Sequence, residues 1–143
     1  MIKRSTTSQW NGTLKEGNGQ MTLQSGAYQG PYTHASRFES AEGTNPEELI
    51  AAAHSGCFSM FLSALLSGEG LTPESIQTSA EVTLEILEDG PKITSIHLDC
   101  DAKVSGIEEA TFQELVEKAK TNCPISKVLQ GADSITVNAR LSA

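Results

Sequence analysis

Between Leu49 and Leu66 the chain offers almost no polar position: aliphatic, aromatic and small residues follow one another with only His54 and a few serines among them. The run Gly43-Thr44-Asn45-Pro46-Glu47-Glu48 ahead of it is a strong helix start. Asn45 suits the N-cap, Pro46 the first helical position, and the two acids face the positive helix end. The pattern therefore predicts a long helix without a polar stripe, which has to be covered all round. A chain of 143 residues has little material to wrap such a helix. A second copy is the simplest source of cover, so a homodimer is expected with this helix near its interface.

Elsewhere the pattern alternates. The first forty residues are polar, rich in Gly and Thr and punctuated at Asn11-Gly12 and Gly17-Asn18-Gly19, which reads as short strands joined by tight turns. After Gly68-Glu69-Gly70-Leu71-Thr72-Pro73, the positions Ala80, Val82, Leu84 and Ile86 alternate with polar residues. Asp89-Gly90 reverses the chain, and Ile96, Leu98, Cys100, Ala102 and Val104 repeat the alternation, which predicts a hairpin. Residues 108–120 carry Phe112, Leu115, Val116 and Ala119 at helical spacing. Pro124 then suits the start of a new short helix with Cys123 as its N-cap, and Ile135, Val137, Ala139 and Leu141 mark a closing strand. The expected fold class is α+β, with antiparallel sheets packed around a long central helix, in a single domain spanning 1–143.

Charge removes several functions. A net charge of -8 argues against nucleic acid and anionic membrane surfaces, which reward clustered Lys and Arg. His54, Ser55, Gly56, Ser59 and Ser63 interrupt the apolar run, so no membrane span is expected. No apolar stretch follows Lys3 and Arg4, and a cytoplasmic location is the default expectation. Three cysteines are too few for a disulfide framework, so any disulfide would be transient and catalytic.

Chemistry then rests on a few side chains. Cys57 lies among Gly56, Phe58, Met60 and Phe61, as suited to a core position as to a reactive one. Cys123, at a helix N-cap, would have backbone N–H groups beside its sulfur, lowering its pKa. Cys100 shares a strand face with core residues and reads as structural. Arg37 is the only Lys or Arg between Lys15 and Lys92. It could be a surface ion pair or, if sheltered, the cation that holds a thiolate. Glu47 and Glu48 are adequately explained as helix-start acids. His54 precedes Cys57 by one turn and reads as structural, since one Cys-His pair falls short of a zinc site.

Arg37-Phe38-Glu39, the run from Gly43 to Met60 including His54-Ser55-Gly56-Cys57-Phe58-Ser59, and Asn122-Cys123-Pro124-Ile125-Ser126 together resemble the OsmC/Ohr family, on its OsmC branch. The resemblance implies an intertwined homodimer acting as a two-cysteine peroxidase on organic hydroperoxides. Cys57 matches the peroxidatic cysteine, Cys123 the resolving one, Arg37 the arginine that holds the thiolate, and Glu47 the acid that orients it. It implies no bound cofactor and no metal. An external dithiol, a dihydrolipoyl group on a carrier protein, would be the reductant, and the setting would be the response to oxidative or osmotic stress. Glu47 and Cys57 lie about 15 Å apart on a straight helix. Either Arg37 bridges that gap or the partner subunit supplies Glu47, and the second is expected. Phe38, Met60 and Phe61 are expected in an apolar substrate pocket. The competing readings are a redox-sensing or ligand-binding dimer whose disulfide does not turn over, and a general disulfide oxidoreductase.

Overall fold

A computed structural model describes residues 1–143. The chain sorts into two compact units, Met1–Leu49 and Ile50–Ala143.

The first unit is a three-stranded antiparallel sheet, β1 (Thr6–Asn11), β2 (Asn18–Leu23) and β3 (Gln29–Tyr32), followed by a short helix α1 (His34–Phe38). The short-strand expectation holds; α1 was not expected. Its start is a capping box in which Thr33 and Ser36 bond each other's backbone. The reciprocal residue is Ser where the recognisable form has Glu or Gln, so the signature is easily missed. Gly43, at φ +117°, then turns the chain so that the Thr44 N–H reaches the Pro31 carbonyl at 2.9 Å.

Helix α2 (Pro46–Gly68) runs unbroken for 23 residues from the predicted cap, where the Glu48 N–H donates to Asn45 Oδ1 at 2.8 Å. By length and composition alone it could cross a membrane. Its environment is two-sided. His54, Phe58, Leu62 and Leu66 are fully buried, whereas Ala53, Gly56, Met60 and Ala64, on the opposite side, are exposed.

The second unit pairs β4 (Ser75–Leu87) with β5 (Gly90–Lys103) as the predicted hairpin, and Gly90 at the turn has φ +119°. Helices α3 (Glu109–Asn122) and α4 (Pro124–Val128) follow, then β6 (Ser134–Ser142). One pairing departs from expectation: β6 lies parallel to β5, with Cys100 opposite Ala139. The two helices between these strands carry the chain back to the same end of the sheet, which makes a crossover of what sequence alone presents as a further antiparallel strand. Phe58, Leu62 and Leu66 of α2 pack with Leu98, Cys100, Ala102 and Val104 of the β5 segment and with Phe112, Leu115, Val116 and Ala119 of α3. Cys100 is thus a core residue, as expected. Ile86, expected to face inward, is 69% exposed. It lies past a bulge at Thr83/Leu84, where the hairpin has left the core behind.

Candidate active site

Two pairs of the sequence-predicted residues come together, one in each unit. In the second unit the Cys57 and Cys123 sulfurs are 2.9 Å apart, with both thiols free. Helix α2 presents Cys57. Cys123 stands at the corner where α3 stops and α4 starts, as C-cap of the first and N-cap of the second. The Ser126 main-chain N–H donates to the Cys123 sulfur at 3.4 Å, and the Ser126 hydroxyl donates to it at 3.5 Å. The N-cap role predicted for Cys123 is thereby present.

The two sulfurs differ in acidity and in access. Burial pushes the Cys57 thiol up, and its bond to Cys123 adds to the rise, with a partial offset from the Ile125 amide. Burial acts upward on Cys123 as well, but the bond from Cys57, the N–H and hydroxyl of Ser126 and the Ile125 amide outweigh it, and its pKa falls. Two sulfurs this close titrate as a coupled pair, and the bonds from Ser126 and Ile125 favour the thiolate form of Cys123. Access runs the other way: Cys57 is partly exposed, whereas Cys123 is completely buried.

In the first unit Arg37 grips Glu47 through two nitrogens. Nε lies 3.2 Å from both carboxylate oxygens, and Nη2 lies 2.7 Å from Oε1. Glu47 is buried and the Arg37 side chain is 36% exposed, so the pair is more sheltered than an ordinary surface ion pair. The guanidinium carbon stands 5.2 Å from the Phe38 ring centre. A cleft of about 450 Å³ opens beside it, walled by Trp10, Leu14, Tyr32, Phe38 and Pro46, with Arg37 as its cation. Of the expected pocket residues only Phe38 lines this cleft. Phe61 packs against the core of the second unit, and Met60 is 77% exposed on the outer side of α2.

His54 is fully buried, with Nε2 2.7 Å from the Ser126 hydroxyl and Nδ1 without a partner. No three His, Cys, Asp or Glu side chains gather in a metal-binding cluster. Sequence reasoning passed over Ser126. The available signal was its place at the third helical position after the Cys123 cap, where both its amide and its side chain can turn back on the capping atom.

Comparison with known proteins identifies the family of the chain. The family model described as OsmC-like protein matches residues 39–138. The peroxiredoxin OsmC of Escherichia coli K12 is 43% identical over 143 residues, covering 99% of each chain. An organic hydroperoxide resistance protein-like 2 of Staphylococcus epidermidis is 34% identical over 90 residues, covering 62% of this chain and 61% of its own. Among solved structures, an OsmC-like protein of unknown function from Vibrio cholerae superposes with a TM-score of 0.77 at 16% identity, over 98% of this chain and all of its own, a likeness of fold. The chain is a member of the OsmC-like family.

Proposed function

We propose that the 143 residues act as one thiol-dependent peroxidase domain that reduces organic hydroperoxides with Cys57 and Cys123. The observation that carries this reading is the 2.9 Å approach of two free sulfurs of which only one is reachable from outside. A peroxide has to meet a sulfur, and access favours Cys57. The Cys57 thiolate attacks the outer peroxide oxygen, the O–O bond breaks, and the departing alkoxide takes a proton to leave as the alcohol. Cys57 is left as a sulfenic acid. Cys123, whose thiolate form the donors of Ser126 favour, then attacks the Cys57 sulfur as a thiolate. The S–O bond breaks, hydroxide leaves with a proton as water, and a disulfide remains. An external dithiol, of the dihydrolipoyl type on a carrier protein, returns both sulfurs to thiols.

Arg37, oriented by Glu47, is the cation that favours the thiolate form of Cys57, offsetting the burial that raises its pKa. Because Arg37 and Glu47 are joined within one chain, whichever subunit provides one provides both. The expectation that the partner subunit serves each Cys57 thus extends from Glu47 to the pair. The exposed apolar side of α2, with Ala53, Gly56, Met60 and Ala64, supports a homodimer formed over it. The apolar cleft with Arg37 at its edge favours an organic over an inorganic peroxide. No metal or bound cofactor takes part, and a cytoplasmic setting completes the reading.

Steady-state consumption of cumene hydroperoxide with dihydrolipoamide tests it. Turnover that vanishes in Cys57→Ser supports the peroxidase. A wild-type protein that forms the disulfide once and never recycles supports a redox-sensing dimer instead, and insulin reduction without peroxide would reveal a general disulfide oxidoreductase.

A further inference from the structure

The Cys123 sulfur ends a chain of hydrogen bonds that begins at a histidine the reaction above does not use. His54 Nε2 lies 2.7 Å from Ser126 Oγ, which lies 3.5 Å from Cys123 Sγ, which lies 2.9 Å from Cys57 Sγ. His54, Ser126 and Cys123 are each 2% exposed or less. We propose that His54 is a positioning residue which, by donating to the Ser126 hydroxyl, turns that hydroxyl's own proton onto Cys123 and so readies the second sulfur for its attack on Cys57.

The direction of the chain follows from the unpartnered atom. His54 Nδ1 is buried and bonded to nothing. A proton there would be an orphaned buried donor, a costlier arrangement than a bare lone pair, so the ring proton belongs on Nε2. Nε2–H then donates to Ser126 Oγ, and the hydroxyl is left with its own proton to give. Without His54, that hydroxyl would be free to turn to a carbonyl one helical turn back, the usual alternative for serine in a helix. With it, the two donors of Ser126 converge on one sulfur, the amide fixed by the backbone and the hydroxyl fixed by the imidazole. Burial also lowers the His54 pKa, so the ring stays neutral and its donating role does not reverse. The groups acting on the Cys123 sulfur are the Cys57 thiol from α2 and, from α4, the Ile125 amide and both donors of Ser126.

The proposal deepens the peroxidase reading by naming what activates its second sulfur, yet its test needs no peroxide. In the reduced 143-residue protein, 15N spectra of the His54 ring report where its proton resides, and the 13Cβ resonance of Cys123 reports its ionisation with pH. The expected results are a proton on Nε2 and, in His54→Phe, a Cys123 midpoint raised by about one pH unit, a tenfold loss of thiolate at a given pH. His54→Gln, whose amide N–H can replace the ring donor, should recover most of that loss. Ser126→Ala should raise the midpoint at least as far, and adding His54→Phe to it should change nothing more, as for members of one chain. A proton found on Nδ1 overturns the proposal, as does a Cys123 midpoint unmoved by Ser126→Ala, a variant small enough to be read even if His54→Phe does not fold. A failed peroxide assay would count against the proposed reaction and leave this result standing.

Discussion

Cys57 and Cys123, 66 positions apart in sequence, hold their sulfurs 2.9 Å apart with no covalent bond between them. Their unequal exposure assigns them successive roles in the proposed reaction. Cys57→Ser should abolish peroxide consumption. Cys123→Ser should release one alcohol per subunit and stop with one oxygen added to Cys57, which intact-mass spectrometry after a single addition of peroxide will detect.

The two-nitrogen grip of Arg37 on Glu47 suits a fork and not a point charge. Arg37→Lys should therefore lower kcat/KM for an organic hydroperoxide by about a hundredfold, equivalent to about 2.7 kcal/mol. Glu47→Gln, which keeps the shape but loses the charge, should lower it about tenfold.

Subunit mixing separates the two possible origins of that pair. If Arg37 and Glu47 serve the partner's sulfur, combining Arg37→Ala with Cys57→Ser should regain about a quarter of wild-type sites: half the dimers are mixed, each with one intact site. No recovery means the pair serves its own chain. In the same spirit, Met60→Glu on the bare side of α2 should shift sedimentation toward the monomer and remove activity with it.

His54 makes stability depend on acid. Its pKa is lowered in the folded chain, so below the unfolded value of about 6.5 the unfolded state binds a proton that the folded state does not. Stability is then lost as pH falls below that value, by up to about 1.4 kcal/mol per pH unit from this residue. Urea denaturation between pH 7 and pH 5 should show the decline, and His54→Gln should flatten it.

Cys100, fully buried between strands, should prove inert. Burial raises its pKa. Cys100→Ala should leave peroxide turnover intact and cost about 1–2 kcal/mol in urea denaturation for the lost packing.

Much of this was legible in the sequence because it depends on local rules. The Asn45-Pro46 helix start, the Asp89-Gly90 reversal and the Cys123 cap each follow from a few adjacent residues, and all three are present. What was not legible depends on meetings between distant segments. The parallel pairing of β6 is decided by the helices that lead to it, and alternation alone reads the same for either direction. The acidity order of the two sulfurs depends on which N–H groups reach which atom. Ser126 acquires its place only once α2 brings His54 against α4. Met60 faces outward on α2, and spacing alone does not distinguish an apolar helix residue that lines a pocket from one that faces outward.

Cys123 ends one helix and opens the next, so its main chain is clamped from both directions. A sulfur mounted in this way has few orientations left to give up before the proposed attack on Cys57. The ordering that a flexible loop would have to achieve anew at each proposed turnover is completed once, when the chain folds.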